Sequence, residues 1–257
     1  MWRVLPLLLL IGAAPTGWRV PDPAQLLVID TNRGRIVIEM EPRVAPRAVE
    51  RVSLLARKGT YDGLLFHRVI DNVLVQTGNP NNKDGGGSEL PDLKPEFWVP
   101  DPLTTKVTWV RTTNDGSDGA IGSLPVAKGT DQFMPAWVAH CTGIVAMGRQ
   151  RDPNTANSEI YIMRGSARGL DHDYTVFGRV LAGQAAVDAL AVGEPPVKPD
   201  RMIRVRIAAD LLAADRPRLE IMDVKSREYS TFALARGRTF GPRLSICDML
   251  PPARSLN

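Results

Sequence analysis

Histidine, cysteine and aromatic residues are scarce in this chain: three, two and 6% respectively among 257 residues. The histidines His67, His140 and His172 share no ligand spacing, such as two on one helix face, although Asp171 and Asp173 flank the last. A metal-dependent hydrolase is therefore not indicated, and no metal or cofactor is expected. A Gly-x-Ser-x-Gly elbow is missing, since Ser88 follows Gly85-Gly86-Gly87 with no helix after it, and no Gly-Lys-Ser/Thr completes a phosphate loop there. Runs of Lys and Arg with interleaved aromatics are also missing, so a net charge of +4 does not point to nucleic acid. Residues 200–257 hold 11 Lys/Arg against 7 Asp/Glu and account for that excess, as a solvated basic surface would.

The remaining composition is ordinary for a globular protein, 44% hydrophobic and 23% charged, enough over this length for one substantial core with room for large loops. With 22 Gly and 21 Pro, many turns and short strands are expected, which leans the fold toward β or α+β. Met1-Trp2-Arg3 ahead of the apolar run Val4 to Ala14, with Ala13, Ala14 and Gly17 as small residues, has the layout of a signal peptide over residues 1–17. That run is too short to span a bilayer, so no stable membrane insertion is expected. A buried N-terminal strand or helix is the other reading, weakened by Pro6 and Pro15. Cys141 and Cys247 have two options, pairing in an oxidising compartment or remaining separate thiols, and spacing does not choose between them.

Leu26–Ile29 and Arg35–Met40 read as strands joined by a tight Thr31-Asn32-Arg33-Gly34 turn. Between Ala45 and Lys58, Ala45, Ala48, Val49, Val52, Leu55 and Ala56 recur at helical spacing, and Gly59 stops the helix. Further strands are expected at 64–70, 73–78, 143–147, 159–163, 175–180, 202–207 and 219–224, with a second helix from Ala185 to Val192 ending at Gly193. The stretch from Pro80 to Thr142 has weak periodicity and reads as a long loop. It contains Trp98, Trp109 and Trp137, and reads either as a lid beside the site or as a self-packed excursion.

Phe66-His67-Arg68-Val69-Ile70, Gln76-Thr77-Gly78-Asn79, Met147-Gly148-Arg149 with Asp152-Pro153-Asn154-Thr155, Leu170-Asp171, and Tyr174 through Val180 occur in that order. Together these segments resemble the cyclophilins over roughly residues 26–210, with residues 80–142 as an expanded loop. The tail, 211–257, falls beyond the resemblance and reads as a mixed, basic extension wrapped around the rest. The resemblance implies a mainly β fold, a closed eight-stranded antiparallel barrel capped by two α-helices. It also implies peptidyl-prolyl cis-trans isomerase activity on proline-containing peptides and on unfolded or folding proteins, here by a periplasmic or secreted monomer.

By the same resemblance Arg68 is the principal catalytic group and Gln76 its partner in the groove. Phe66, His67, Val73, Leu74, Met147, Gly148, Arg149, Glu159, Tyr161, Leu170 and Tyr174 are the expected substrate-binding positions. Several depart from the family's usual residues: Val73 and Tyr161 stand in place of phenylalanines, Glu159 of glutamine, Tyr174 of histidine, and Arg149 of asparagine. Gly169 stands where cyclosporin-sensitive members carry tryptophan, so weak cyclosporin binding is expected. These changes imply reduced activity, and a proline-peptide binding module with little turnover is the alternative reading.

Overall fold

The structure, a computed structural model, describes residues 17–101, 103–131 and 133–256. The signal-peptide reading of residues 1–17 therefore lies outside the described residues, apart from Gly17. Strands β1 (Trp18–Arg19), β2 (Leu26–Thr31) and β3 (Gly34–Met40) are followed by helix α1 (Pro46–Arg57), β4 (Arg68–Ile70) and β5 (Leu74–Thr77). Four strands then occupy the segment expected to be a loop: β6 (Thr108–Thr113), β7 (Gly116–Ile121), β8 (Leu124–Gly129) and β9 (Trp137–Val138). Next come β10 (Ile144–Met147), β11 (Ile160–Met163), β12 (Val176–Ala182), helix α2 (Gln184–Asp188) and β13 (Met202–Ile207). The tail adds β14 (Leu219–Met222), helix α3 (Arg227–Phe240) and β15 (Ala253–Ser255).

These strands form three antiparallel sheets, ordered β13-β2-β3-β12-β10-β11-β5-β4, β6-β7-β8-β9 and β1-β14-β15. The eight-stranded sheet curls until its edges approach. There Met202 N donates to Leu64 O (2.8 Å) and Phe66 N to Asp200 O (2.9 Å), around a single Leu65–Arg201 bridge. No continuous ladder joins the edges among the described residues. The result is a curled half-barrel where the resemblance implied a closed barrel, because β4 is three residues long and the segment before it is irregular.

Alternation along the strands divides the apolar residues between two faces. Leu27, Ile29, Ile36, Ile38, Val145, Ile160 and Ile162 point inward against Ala48, Val52 and Leu55 of α1. On the outer face Leu26, Val28 and Val37 pack under Leu219 and Ile221 of β14. Leu74, Ala146, Tyr161 and Met163 pack with Ile121, Leu124 and Val126 of the four-stranded sheet. Large parts of the main sheet are thus covered on both sides, which is why its strands read as nearly unbroken apolar runs.

A buried charge cluster ties β1, and through its pairing with β14 the third sheet, to the main sheet. Glu39 of β3 accepts two hydrogen bonds from the Arg19 guanidinium on β1 (2.7 and 2.9 Å), and it faces Arg179, its register partner on β12. Arg179 donates from Nη1 to Ser123 O (3.0 Å). Burial lowers the Arg179 pKa to about 10, with the Glu39 charge acting in the opposite direction.

Helix α1 follows its apolar spacing, with Pro46 in its first turn. Helix α2 is shorter than expected. After Asp188 the chain leaves the helical path, and the Ala191 amide donates instead to the buried Asp200 carboxylate (2.8 Å). The unanticipated α3 is capped by Ser226, whose hydroxyl accepts from Tyr229 N (3.1 Å). Strands β6–β8 escape sequence reading because Gly, Ser, Asp and Pro125 weaken their strand signal. At Gly119 the ladder requires glycine, since a Cβ would lie 2.6 Å from Thr108 O. Among the described residues, no helix is long and apolar enough to cross a membrane.

Cys141, just before β10, is disulfide-bonded to Cys247 in the tail, with Cα atoms 5.3 Å apart and a sequence separation of 106. Closing so long a loop restricts the unfolded chain strongly. The Cys141→Ala/Cys247→Ala double variant is expected to lose about 2–5 kcal/mol of stability. Paired denaturant titrations of oxidised wild type and the variant measure this directly.

Candidate active site

The pairing of β4, β5 and β11 sets three polar side chains in a row. Arg68 is the register partner of Gln76, and Gln76 of Tyr161. Because facing positions share one side of a sheet, all three belong to its outer face. The Arg68 Nη1 donates to Gln76 Oε1 (3.1 Å) and its Nε to Glu194 Oε2 (2.6 Å). Gln76 in turn donates from Nε2 to Asp84 Oδ1 (3.3 Å). Gln76 is buried, while the Arg68 side chain keeps 34% of its surface exposed.

Beside this row lies a cavity of about 340 Å³. Arg68, Val73, Leu74, Gln76, Gly148, Arg149, Tyr161, Leu170 and Tyr174 line it, together with Ile70, Asp84 and Ala167. Gly148 exposes bare backbone there, because the Glu159 side chain packs beneath it and would lie 2.7 Å from an added Cβ. The Arg149 guanidinium sits 4.4 Å from the centre of the Tyr174 ring and pairs with Asp173 (2.9 Å).

Four expected positions fall elsewhere. Phe66 and Met147 belong to the inner core; strand alternation turns Met147 inward next to the outward Ala146, and Phe66 precedes the regular part of β4. They are core residues rather than groove residues. His67 and Glu159 are buried beside each other, Nε2 to Oε1 3.4 Å apart. His67 borders a second cavity of about 770 Å³, shared with Arg68, Asp84, Glu194, Pro195 and Pro196.

Tyr161 forms part of the wall through its ring, and its hydroxyl is engaged behind the wall. The oxygen lies 2.9 Å from His140 Nε2, and His140 Nδ1 lies 3.2 Å from Asp171 Oδ1. A carboxylate only accepts, so Nδ1 carries a proton toward Asp171, and in the neutral imidazole Nε2 accepts from the tyrosine. Burial pushes the Tyr161 phenol well above its usual pKa, which keeps that hydroxyl a donor. For Asp171, burial favours the neutral acid. Hydrogen bonds from His140 and the Arg168 charge outweigh it, leaving the carboxyl below its usual range. Asp171 Oδ2 also accepts from Trp137 Nε1 (3.0 Å), and Trp98 stacks on His172 with centroids 5.4 Å apart.

Ile70, Ala167, Asp84, Glu194 and His140 are parts of the site that the sequence does not reveal. Glu194 follows Arg68 by 126 positions and His140 precedes Tyr161 by 21, with no motif to connect them. The one signal available is a histidine in apolar text, which demands a buried partner. Tyr161→Phe keeps the ring but strands His140 Nε2 in the interior. A loss of about 1–3 kcal/mol is expected from the shift of the denaturation midpoint.

Residues 26–207 match the family model described as cyclophilin type peptidyl-prolyl cis-trans isomerase/CLD. A probable peptidyl-prolyl cis-trans isomerase of Brucella suis is 32% identical over 216 residues, covering 78% of this chain and 90% of its own. The crystal structure of cyclophilin AquaCyp293 from Hirschia baltica is 30% identical, with a TM-score of 0.83 and 92% of each chain covered. A cyclophilin type peptidyl-prolyl cis-trans isomerase of Cryptosporidium parvum, crystallised in the presence of the dipeptide Ala-Pro, shares the fold at 19% identity. Its TM-score is 0.54, over 71% of this chain and 98% of its own. On the family match and the Brucella and Hirschia relatives together, this chain belongs to the cyclophilin-type peptidyl-prolyl cis-trans isomerases.

Proposed function

We propose that the cavity beside Arg68 takes the proline ring of a peptide and that Arg68 donates a hydrogen bond toward the prolyl nitrogen. The barrier to rotation about an amide bond, roughly 18–20 kcal/mol, comes from delocalisation of the nitrogen lone pair. Twisting the bond localises that pair, so a donor aimed at the nitrogen binds the twisted state more tightly than either planar state. No covalent intermediate is required. The observation that carries this reading is the position of the guanidinium. It is held by Gln76 and Glu194 at the rim of a cavity walled by Leu74, Tyr161 and Leu170.

Gln76 positions Arg68 through its Oε1, and the apolar wall supplies ground-state binding of the ring. Val73 leaves the wall less aromatic than the family's usual phenylalanine would, which weakens that binding. The tyrosine hydroxyl at 161 does not add to the effect, since His140 takes it up. The segment Val4 to Ala14 and the Cys141–Cys247 pair together support export to an oxidising compartment. There a monomeric enzyme of this kind would speed slow prolyl steps in the folding of other proteins, which otherwise take tens of seconds.

Arg68→Ala is expected to lower kcat/KM on an Xaa-Pro peptide by about 100-fold or more. Exchange NMR at equal concentrations of folded wild type and variant is the measurement. Equal rates would remove Arg68 from the mechanism. Binding of the peptide by wild type without any acceleration would leave a proline-peptide binding module.

A further inference from the structure

His67 and Glu159 are together in the interior, 5% and 3% exposed, and they are poorly satisfied. Neither ring nitrogen of His67 has a hydrogen-bond partner, nor has Glu159 Oε1. The other carboxylate oxygen, Oε2, accepts from Asn79 Nδ2 (2.6 Å), which turns Oε1 toward the imidazole. Buried polar atoms in folded proteins are nearly all paired, so three orphans at one place call for a missing partner. The third group within reach is Asp84, whose carboxylate lies within 4.8 Å of the other two ligand atoms.

We infer that His67, Glu159 and Asp84 form a binding site for a divalent transition-metal ion, with zinc as the best fit. One imidazole with two carboxylates is a zinc-type donor set; magnesium and calcium prefer oxygen alone. Ligand atoms held about 2.0–2.1 Å from a tetrahedral ion are about 3.3–3.4 Å apart. The His67 Nε2–Glu159 Oε1 separation is 3.4 Å, misaligned for a hydrogen bond but right for two ligands of one ion. Asp84 is exposed on its loop and already lies within reach of the buried pair, with its Oδ1 accepting from Gln76. Asn79 provides the outer support that orients a ligating carboxylate. The second cavity, which both His67 and Asp84 border, is the way in from solvent.

This site does not depend on the catalytic roles assigned above. It is nevertheless connected to them, because Asp84 accepts the Gln76 hydrogen bond and Gln76 holds Arg68. An ion fixing Asp84 would also fix that chain of contacts. Nothing in the sequence announces the site, since His67 and Glu159 stand far apart and in unrelated motifs.

The test is calorimetric titration of the full, chelator-treated protein with zinc chloride, alongside Glu159→Gln and Asp84→Asn. Glu159→Gln preserves side-chain shape and introduces the residue usual in the family, and Asp84→Asn alters an exposed position. One equivalent of zinc is expected to bind wild type, with affinity lowered at least about 100-fold in Glu159→Gln and about 10-fold in Asp84→Asn. Cobalt substitution should give the visible absorption of a four- or five-coordinate centre, and zinc should shift the ring nitrogens of His67 in NMR spectra. An absence of saturable binding, or equal affinity in wild type and both variants, overturns the site and leaves His67 and Glu159 as a buried ion pair. Should Glu159→Gln fail to fold, the Asp84→Asn titration and the His67 shifts decide alone.

Discussion

The register between β4, β5 and β11 is the constraint on which the site depends. Arg68, Gln76 and Tyr161 come from three strands and two separate motifs, yet backbone pairing sets them side by side. A slip of one residue in any of these ladders would turn a polar group of the row into the inner core and an isoleucine or valine outward. The burial of Val69, Val75, Ile160 and Ile162 on the inner face opposes that slip, because each would lose its place in the core. Apolar packing on one side of the sheet thus positions the chemistry on the other. The hydrogen bonds among Arg68, Gln76, Asp84 and Glu194 then refine an arrangement that the ladder has already made.

A second consequence of the sheet is that it needs covering twice. The inner face is closed by α1, as the resemblance implied, but the outer face of β2 and β3 is also apolar and is closed by β14. Elsewhere the same outer face is closed by β7 and β8. The tail and the inserted segment are therefore structural layers; the Cys141–Cys247 bond attaches the tail directly, and the Glu39 pairing with Arg19 attaches β1, the neighbour of β14. A buried pair of this kind contributes less to net stability than its Coulomb energy suggests, since both ions lose water.

The inserted segment also reaches the site. His140 and Trp137 lie at its end, and through Asp171 they support the tyrosine that walls the cavity. In this chain a polar relay behind the wall occupies the hydroxyl that tyrosine adds over phenylalanine. The departure at position 161 is thereby neutral for the cavity's polarity, whereas the departure at 159 places a carboxylate beside His67 in the interior. The two substitutions look alike in the sequence, and their surroundings separate them.

Much of the fold and of the cavity wall is legible in the amino-acid sequence. Apolar runs of strand length locate β2 to β5 and β10 to β14, helical spacing locates α1, and the ordered motifs around Arg68, Gln76, Arg149 and Tyr174 point to the family and to most of the wall. Those signals are local: they depend on the period of one element or on residues adjacent in the chain. What the tertiary structure alone decides is non-local. It makes four strands out of a Gly- and Ser-rich segment by giving them neighbours, and it joins Cys141 to Cys247. It also places Phe66 and Met147 in the core instead of the groove, brings Glu194 and Asp84 to Arg68, and sets His67 against Glu159. Side chains in the same local pattern face solvent, core or each other according to which distant strand pairs with theirs, and that pairing is a property of the whole chain.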